Sequence, residues 1–350
     1  MTPRIATIHP STDDTAPHQV LTPGETFRLP PLVCSTTAKV NPDYPTIYEH
    51  NAAWAAAFLP FSHSAELGRM LEHRYPLWES MVYSVGLPHR VAHSSCVTSL
   101  MFEVDDVALL QHGLFDEIDA NWENGQHPYS RAFHDIWTTL EQRMPEGVYR
   151  RYREAWQNWF AGAQQENKLR ATAEIPDLET YLQVRRSNVG LRPYITCIEY
   201  VLDLDLTQDL RDDEELASVK DLAVEHAMLV NDVYSARWEC FNDDYFNVVA
   251  TLIRAHDKPL QTAIDQSAAL IEKADTALTD TVTRLRRRYA SAGPKGRDIT
   301  AYLDAIGSFC AGNFRWSCET SRYNGTGYGW NGLRTGTVTL HPERTVITAH

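Results

Sequence analysis

The chain has 350 residues, with 32 Lys plus Arg against 46 Asp plus Glu, a formal net charge of −14. Apolar residues make up 43% and charged residues 22%, the balance of a globular chain and not of a disordered one. So acidic a chain lacks the basic footprint that nucleic-acid binding needs, and no apolar run approaches the ~18 residues of a membrane span. Met1 to Gln19 has no apolar stretch of the secretory kind. The six cysteines show no CxxC spacing and read as free thiols of a reducing compartment, so a cytoplasmic location is expected.

Residues 1–25 are rich in Thr, Pro, Asp and His without periodicity and read as a mobile arm. Pro42 and Pro45 then punctuate the entry to a helical stretch from Thr46 to Phe58. Ser95 to Gln111 is strongly apolar, broken only by acids. Tyr149 to Arg170 mixes aromatic and charged residues at helical spacing. Pro176, Asp177, Leu178 and Glu179 form the first turn of a helix expected to reach about Gly190, with a break near Pro193. Leu216 to Leu252 reads as one long helix, Leu260 to Tyr289 as another, and Asp298 to Tyr323 closes the set. The tail over 324–350 carries Gly325, Gly327, Gly329, Gly332 and Gly336 and cannot be a long helix. The class is all-α, with one helical domain over 26–323.

Three polar clusters interrupt these apolar helices, where uncompensated polar groups are costly. Asp105 and Asp106 lie between Phe102, Val104 and Val107 to Leu110. Adjacent helical residues point about 100° apart, so only one of the two faces a site squarely; the plain alternative is a solvated pair. Asn231, Ser235 and Glu239 recur every four residues and share a helical face among Met228, Leu229, Val230 and Val233. Three oxygen donors on one face suit a hard cation such as Mg²⁺. Arg185 and Arg186 sit in the third cluster and need anionic partners, either a structural salt bridge or a diphosphate, which guanidinium groups bind with paired donors.

Together these motifs resemble the class I terpene synthases, and the bacterial ones in particular, over roughly Phe27 to Tyr323. Asn41, Pro42 and Trp54 look like the family's N-terminal stretch. Asp105 and Asp106 look like the start of its aspartate-rich motif. Asn231, Ser235 and Glu239 match the second metal motif, and Arg185 precedes Asn231 by 231 − 185 = 46 residues, the spacing of the diphosphate-sensing arginine. Gly312 to Trp316 leads into an Arg322–Tyr323 pair of the kind that ends the family's last core helix.

The resemblance implies a helical bundle around a central apolar pocket. It implies that three Mg²⁺ ions are held by Asp105, with Asp106, and by Asn231, Ser235 and Glu239. Arg185 would sense the diphosphate, and Arg322 and Tyr323 would donate to it. Asn188 would link Arg185 to an effector carbonyl at Val189 or, one residue on, Gly190. Met101, Phe102 and Trp316 would line the hydrocarbon pocket, and Trp316→Ala is expected to change products more than stability. The implied reaction is cyclisation of an acyclic prenyl diphosphate: geranylgeranyl diphosphate to a diterpene, of the eunicellane-forming type, with farnesyl diphosphate the alternative. A homodimer is compatible with the resemblance.

Two departures stand out. The third acid of the aspartate motif is replaced by Ala108, Leu109 and Leu110, with Asp116 the next acid, and the Lys that often precedes the last metal ligand is Trp238, after Arg237. Three other readings compete: a chain-elongating prenyltransferase, which needs two aspartate-rich motifs; a His–Asp metal phosphohydrolase using His134–Asp135 or His256–Asp257; and a family member that has lost activity.

Overall fold

The computed structural model describes residues 20–108, 127–171, 176–239, 246–325, 332 and 335–340. A short strand β1 (Thr26–Leu29) is followed by α1 (Tyr44–Phe58), α2 (Ser64–Glu72), α3 (Tyr75–Val82), α4 (Pro88–Ala108), α5 (Ser130–Arg143), α6 (Glu146–Ala171) and α7 (Leu178–Asn188). Then come α8 (Leu191–Val201), α9 (Thr207–Asp212), α10 (Glu214–Glu239), α11 (Val248–His256), α12 (Leu260–Tyr289), α13 (Gly293–Glu319), α14 (Ser321–Asn324) and a second strand, β2 (Gly336–Thr339).

The molecule is organised around α10. Ala223, Val224, Ala227, Met228, Leu229 and Val230 on it are all buried, so the middle of the helix is enclosed nearly all round, as a central helix must be. It packs against α12 and α13 on one side and α8 on another, while α3 bridges α13 and α4, and α6 lies along α7 and α8. α13 crosses α3 at Gly312, where a Cβ would stand 2.5 Å from the Met81 carbonyl carbon, so only glycine permits that approach.

Local chemistry sets the helix ends. Asp177 caps α7 by accepting from the Thr180 amide at 2.9 Å, and Asn247 caps α11 by accepting from the Val249 amide at 2.8 Å. Asn41, in the N-terminal stretch, is buried and donates to the Tyr83 and Gly86 carbonyls, while Trp54 donates to Asp135 at 2.8 Å. Both therefore anchor chain segments. The preceding segment is tied down by His226, whose Nε2 is 3.0 Å from the Val33 carbonyl, and by the Ser35 amide, which donates to Asp275 at 3.0 Å.

The structure departs from the sequence reading at several points. The helix expected over Leu216–Leu252 is two helices, α10 and α11, because Asn247 starts a new one. The helix end expected at about Gly190 is where the structure has it, at a left-handed φ of +74°, but the further break expected near Pro193 is absent; Pro193 sits in the first turn of α8, where its missing N–H costs nothing. The sequence carries no expectation for the helices α2, α3, α5 and α9. α3 is buried on all sides, so it carries no amphipathic signal. β1 and β2 pair antiparallel from Thr26↔Thr339 to Leu29↔Gly336, adding a small ribbon to the all-α body. Four-residue strands are too short to announce themselves by alternation. The rest of the arm before residue 20, most of the tail, Asp116 and the side chain of Asp106 lie outside the described residues.

Candidate active site

α6 meets the junction of α7 and α8 with a stripe of residues at helical spacing. Trp159 donates from its indole N–H to the Asn188 carbonyl at 2.8 Å, and Glu166 accepts from the Asn188 side-chain amide. Between them, Gly162 lets the two backbones close: a Cβ there would lie 3.1 to 3.2 Å from the Ser187 carbonyl carbon and the Asn188 amide nitrogen. The chain then turns through Val189 and Gly190 along the wall of a cavity.

α7 and α10 supply the polar part of that cavity. Arg185 donates to Asp232 Oδ1 at 3.0 Å from Nε and to Asn231 Oδ1 at 3.0 Å from Nη2. Asp232 is fully buried and also accepts from the Tyr181 hydroxyl and the Val248 amide. Burial by itself would lower the Arg185 pKa, but Asp232, together with Tyr181, Glu166 and Glu239, outweighs it and holds the guanidinium well above its usual value. Burial pushes the Asp232 carboxyl upward, against the pull of Arg185, Tyr181 and the Val248 amide. Asn247 reaches back from the cap of α11 to donate to the Asp232 carbonyl and to Glu239 Oε2, both at 2.8 Å.

The end of α13 and α14 close the circle. Asn231 donates to the Tyr323 hydroxyl at 2.6 Å, which leaves that hydroxyl its own proton to give. Burial pushes the Tyr323 phenol up to about 12, so the proton stays on at neutral pH. Arg322 donates to Tyr75 at 3.2 Å and stands over the Phe102 ring, 4.7 Å from its centre. Tyr75 and Phe102 stack 4.5 Å apart, and Trp316 packs against Tyr75, Phe102 and Tyr323.

All of these groups surround one cavity. Met101, Phe102, Asp105, Arg185, Asn188, Val189, Gly190, Asn231, Ser235, Glu239, Trp316, Arg322 and Tyr323 line it, so the structure gathers every predicted site residue whose side chain it describes. Trp78, Trp156, Trp159, Tyr194 and Phe246 complete an aromatic wall, and Glu166 adds a carboxylate. Asp105, Asn231, Ser235 and Glu239 offer carboxylate, amide and hydroxyl oxygens and no sulfur or imidazole, a donor set that fits a hard divalent cation. Asn247 donates to Glu239 Oε2 and Arg185 to Asn231 Oδ1, so both groups are already oriented by neighbouring side chains.

The family description "Terpene synthase family 2, C-terminal metal binding" matches residues 97–274, half of the chain, and spans Asp105 through Glu239. The chain belongs to this terpene synthase family. It is 26% identical over 344 residues to the (E)-2-epi-beta-caryophyllene synthase of Selaginella moellendorffii, covering 92% of each chain. It is 27% identical over 332 residues to the silphinene synthase of Penicillium patulum, covering 86% of each. Among solved structures the fold matches an a-eudesmol synthase, with a TM-score of 0.73 and 16% identity over 82% of this chain and 98% of that one. It also matches the linalool/nerolidol synthase from Streptomyces clavuligerus in complex with 2-fluorogeranyl diphosphate, at a TM-score of 0.72 and 18% identity over 80% and 100% of the two chains. As a terpene synthase the protein is an enzyme of the class that acts on prenyl diphosphates, with a metal-binding C-terminal region and an all-α fold. No helix among the described residues is long and apolar enough to cross a membrane.

Several further residues of this terpene synthase site were not singled out from sequence. Tyr181 precedes Arg185 by one helical turn and shares its face, a signal that was there to find. Glu166 follows Trp159, Gly162 and Ala163 at i+7, i+4 and i+3, on the face that turns to the cavity. Asp232 lies inside the metal motif itself, yet it is the buried partner of Arg185. Arg237 donates to the Asn324 carbonyl at 3.1 Å, tying α10 to α14, and the side chain of Trp238 lies outside the described residues. Of the phosphohydrolase alternative, His134, His256 and Asp257 are exposed and Asp135 holds Trp54, so among the described residues these groups do not assemble that site; His112, also nominated for it, lies outside them.

Proposed function

We propose that the protein ionises an acyclic prenyl diphosphate and cyclises the resulting allylic carbocation, releasing diphosphate. The observation that carries this reading is the union, in one cavity, of an oxygen-donor and arginine rim with a wall of Trp, Tyr and Phe. Asp105, with Asp106, and Asn231, Ser235 and Glu239 are the residues proposed to hold Mg²⁺. When bound there, Mg²⁺ supplies Lewis-acid neutralisation of the leaving diphosphate's charge. Arg185 and Arg322 offer guanidinium N–H groups to the departing anion, and Tyr323 offers its hydroxyl proton, so the charge that develops meets oriented donors. The aromatic wall keeps water from the cation and presents ring faces to it, each worth roughly 0.5–2 kcal/mol. The turn at Asn188, Val189 and Gly190 lies beside Arg185 and couples anion binding to the pocket wall.

The relatives speak to chain length. The names of the Selaginella and Penicillium enzymes, and "Sesquiterpene synthase 1" of Postia placenta, 29% identical over 231 residues, are names of C15 cyclases. We therefore place farnesyl diphosphate first as substrate and keep geranylgeranyl diphosphate, favoured by the shortened acid motif, as the second reading. A cytoplasmic enzyme of bacterial type, three ions and a homodimer remain expectations of the sequence resemblance. Diphosphate release from farnesyl diphosphate that requires Mg²⁺ and is abolished by chelation supports the proposal; release that survives chelation, or a hydrolysed alcohol as the sole product, contradicts it.

A further inference from the structure

Glu166 is a carboxylate in the wall of a pocket built to hold a cation, one helix away from the metal-ligand motifs. Its Oε2 accepts from the side-chain amide of Asn188, and Trp159, two turns earlier on the same helix, grips the Asn188 carbonyl at 2.8 Å. Asn188 is thus held at both its polar ends by α6. Its remaining oxygen, Oδ1, is buried and has no hydrogen-bond partner among the described residues, so of these only Glu166 fixes which way the amide faces. An asparagine amide can flip by half a turn at little steric cost, and only an acceptor such as Glu166 distinguishes its NH₂ from its oxygen.

The two residues that follow sharpen the point. Gly190 takes a left-handed φ of +74°, and a Cβ on it would lie 3.2 Å from the Trp159 indole nitrogen. Gly162 removes the side chain that would otherwise push α6 away from Ser187 and Asn188. One stripe of α6, formed by Trp159, Gly162, Ala163 and Glu166, therefore moulds the break between α7 and α8.

We propose that Glu166 is a positioning residue: by accepting from the Asn188 amide it fixes the orientation of the Asn188–Gly190 turn against the pocket, and so sets the alignment of bound prenyl chain and leaving group. The proposal rests on the function proposed above and deepens it. A misaligned turn leaves diphosphate binding by the rim intact but lowers the fraction of bound substrate in a reactive geometry. Glu166→Leu is therefore expected to lower kcat about 10- to 100-fold with KM within about twofold, and to shift the product mixture toward acyclic or early-quenched products. Glu166→Gln keeps an oxygen acceptor for Asn188 and is expected to restore most of kcat and the wild-type profile. Trp159→Phe keeps an aromatic ring but loses the N–H that donates to the Asn188 carbonyl, along with part of the indole's bulk, and is expected to show the same split between kcat and KM.

The experiment is steady-state kinetics and product analysis of the three variants beside wild type. Thermal unfolding with and without Mg²⁺ and inorganic pyrophosphate reports fold and rim binding independently of turnover. An unchanged kcat and product profile in a folded Glu166→Leu overturns the inference, as does a Glu166→Gln as impaired as the leucine variant, because charge and not the hydrogen bond would then matter. If Glu166→Leu does not fold, Trp159→Phe and Glu166→Gln decide: a wild-type Trp159→Phe overturns the proposal. A wild type inert toward every prenyl diphosphate overturns the proposed function itself, an outcome distinct from these.

Discussion

Arg185 and Asp232 are joined across the packing of α7 on α10 at 3.0 Å, with Asp232 wholly buried and Arg185 turned into the cavity. The pair holds a cation at the rim before any anion arrives. Removing the carboxylate strands that cation, and breaking a buried pair costs about 3–5 kcal/mol. Asp232→Asn is expected to lose stability on that scale by denaturant unfolding, and Arg185→Met with Asp232→Leu to recover much of it while remaining inactive.

Asn231 and Glu239 are partly exposed to the cavity; Asn231 accepts from Arg185 and donates to Tyr323, and Glu239 accepts from Asn247. Asn231→Ala and Glu239→Ala are expected to cost about 1–2 kcal/mol of stability and to abolish turnover. Loss of the thermal stabilisation given by Mg²⁺ with pyrophosphate should accompany the loss of activity. Full turnover in Asn231→Ala would remove it from the proposed ligands.

Trp316 is almost fully buried and donates to the Arg74 carbonyl at 3.2 Å. The sequence expectation that alanine there changes products more than stability is therefore revised: truncating so buried a tryptophan costs about 3–5 kcal/mol. Trp316→Phe is the informative change. It is expected to retain the fold and alter the ratio of cyclic products by gas chromatography–mass spectrometry.

Glu79 is buried on α3, accepting from Ser94 at 3.2 Å and from Thr98, and burial raises its pKa to about 8. The folded chain therefore keeps a proton between about pH 4.5 and 8 that the unfolded chain gives up, so this group lowers stability as pH rises through that window. Glu79→Gln should remove the trend, gaining on wild type by a few kcal/mol, as an order of magnitude, between pH 5 and 8. Parallel melting curves for the two proteins across that range would contradict it.

The site was legible where chemistry forces a spacing. Asn231, Ser235 and Glu239 had to recur every four residues to face one way, and Arg185 had to precede them by the length of the α7–α10 connection. The partners that hold them were hidden for a physical reason. Asp232, Asn247 and Glu166 act through contacts between elements far apart in sequence, and no local pattern specifies which buried carboxylate will meet which arginine. The helix end expected at about Gly190 is where the structure has it, but the further break expected near Pro193 is absent, because a proline in a first turn and a proline that ends a helix look alike in sequence. The ribbon of β1 and β2 joins residues more than three hundred positions apart, which only the folded chain reveals.

The most direct test is to give purified protein Mg²⁺ and, separately, geranyl, farnesyl and geranylgeranyl diphosphate, and to read the extracts by gas chromatography–mass spectrometry. The account predicts a cyclic C15 hydrocarbon from farnesyl diphosphate that disappears when Mg²⁺ is chelated. A cyclic C20 product from geranylgeranyl diphosphate alone would keep the mechanism and overturn the chain length. No Mg²⁺-dependent cyclic product from any of the three would contradict the central claim that this cavity ionises and cyclises a prenyl diphosphate.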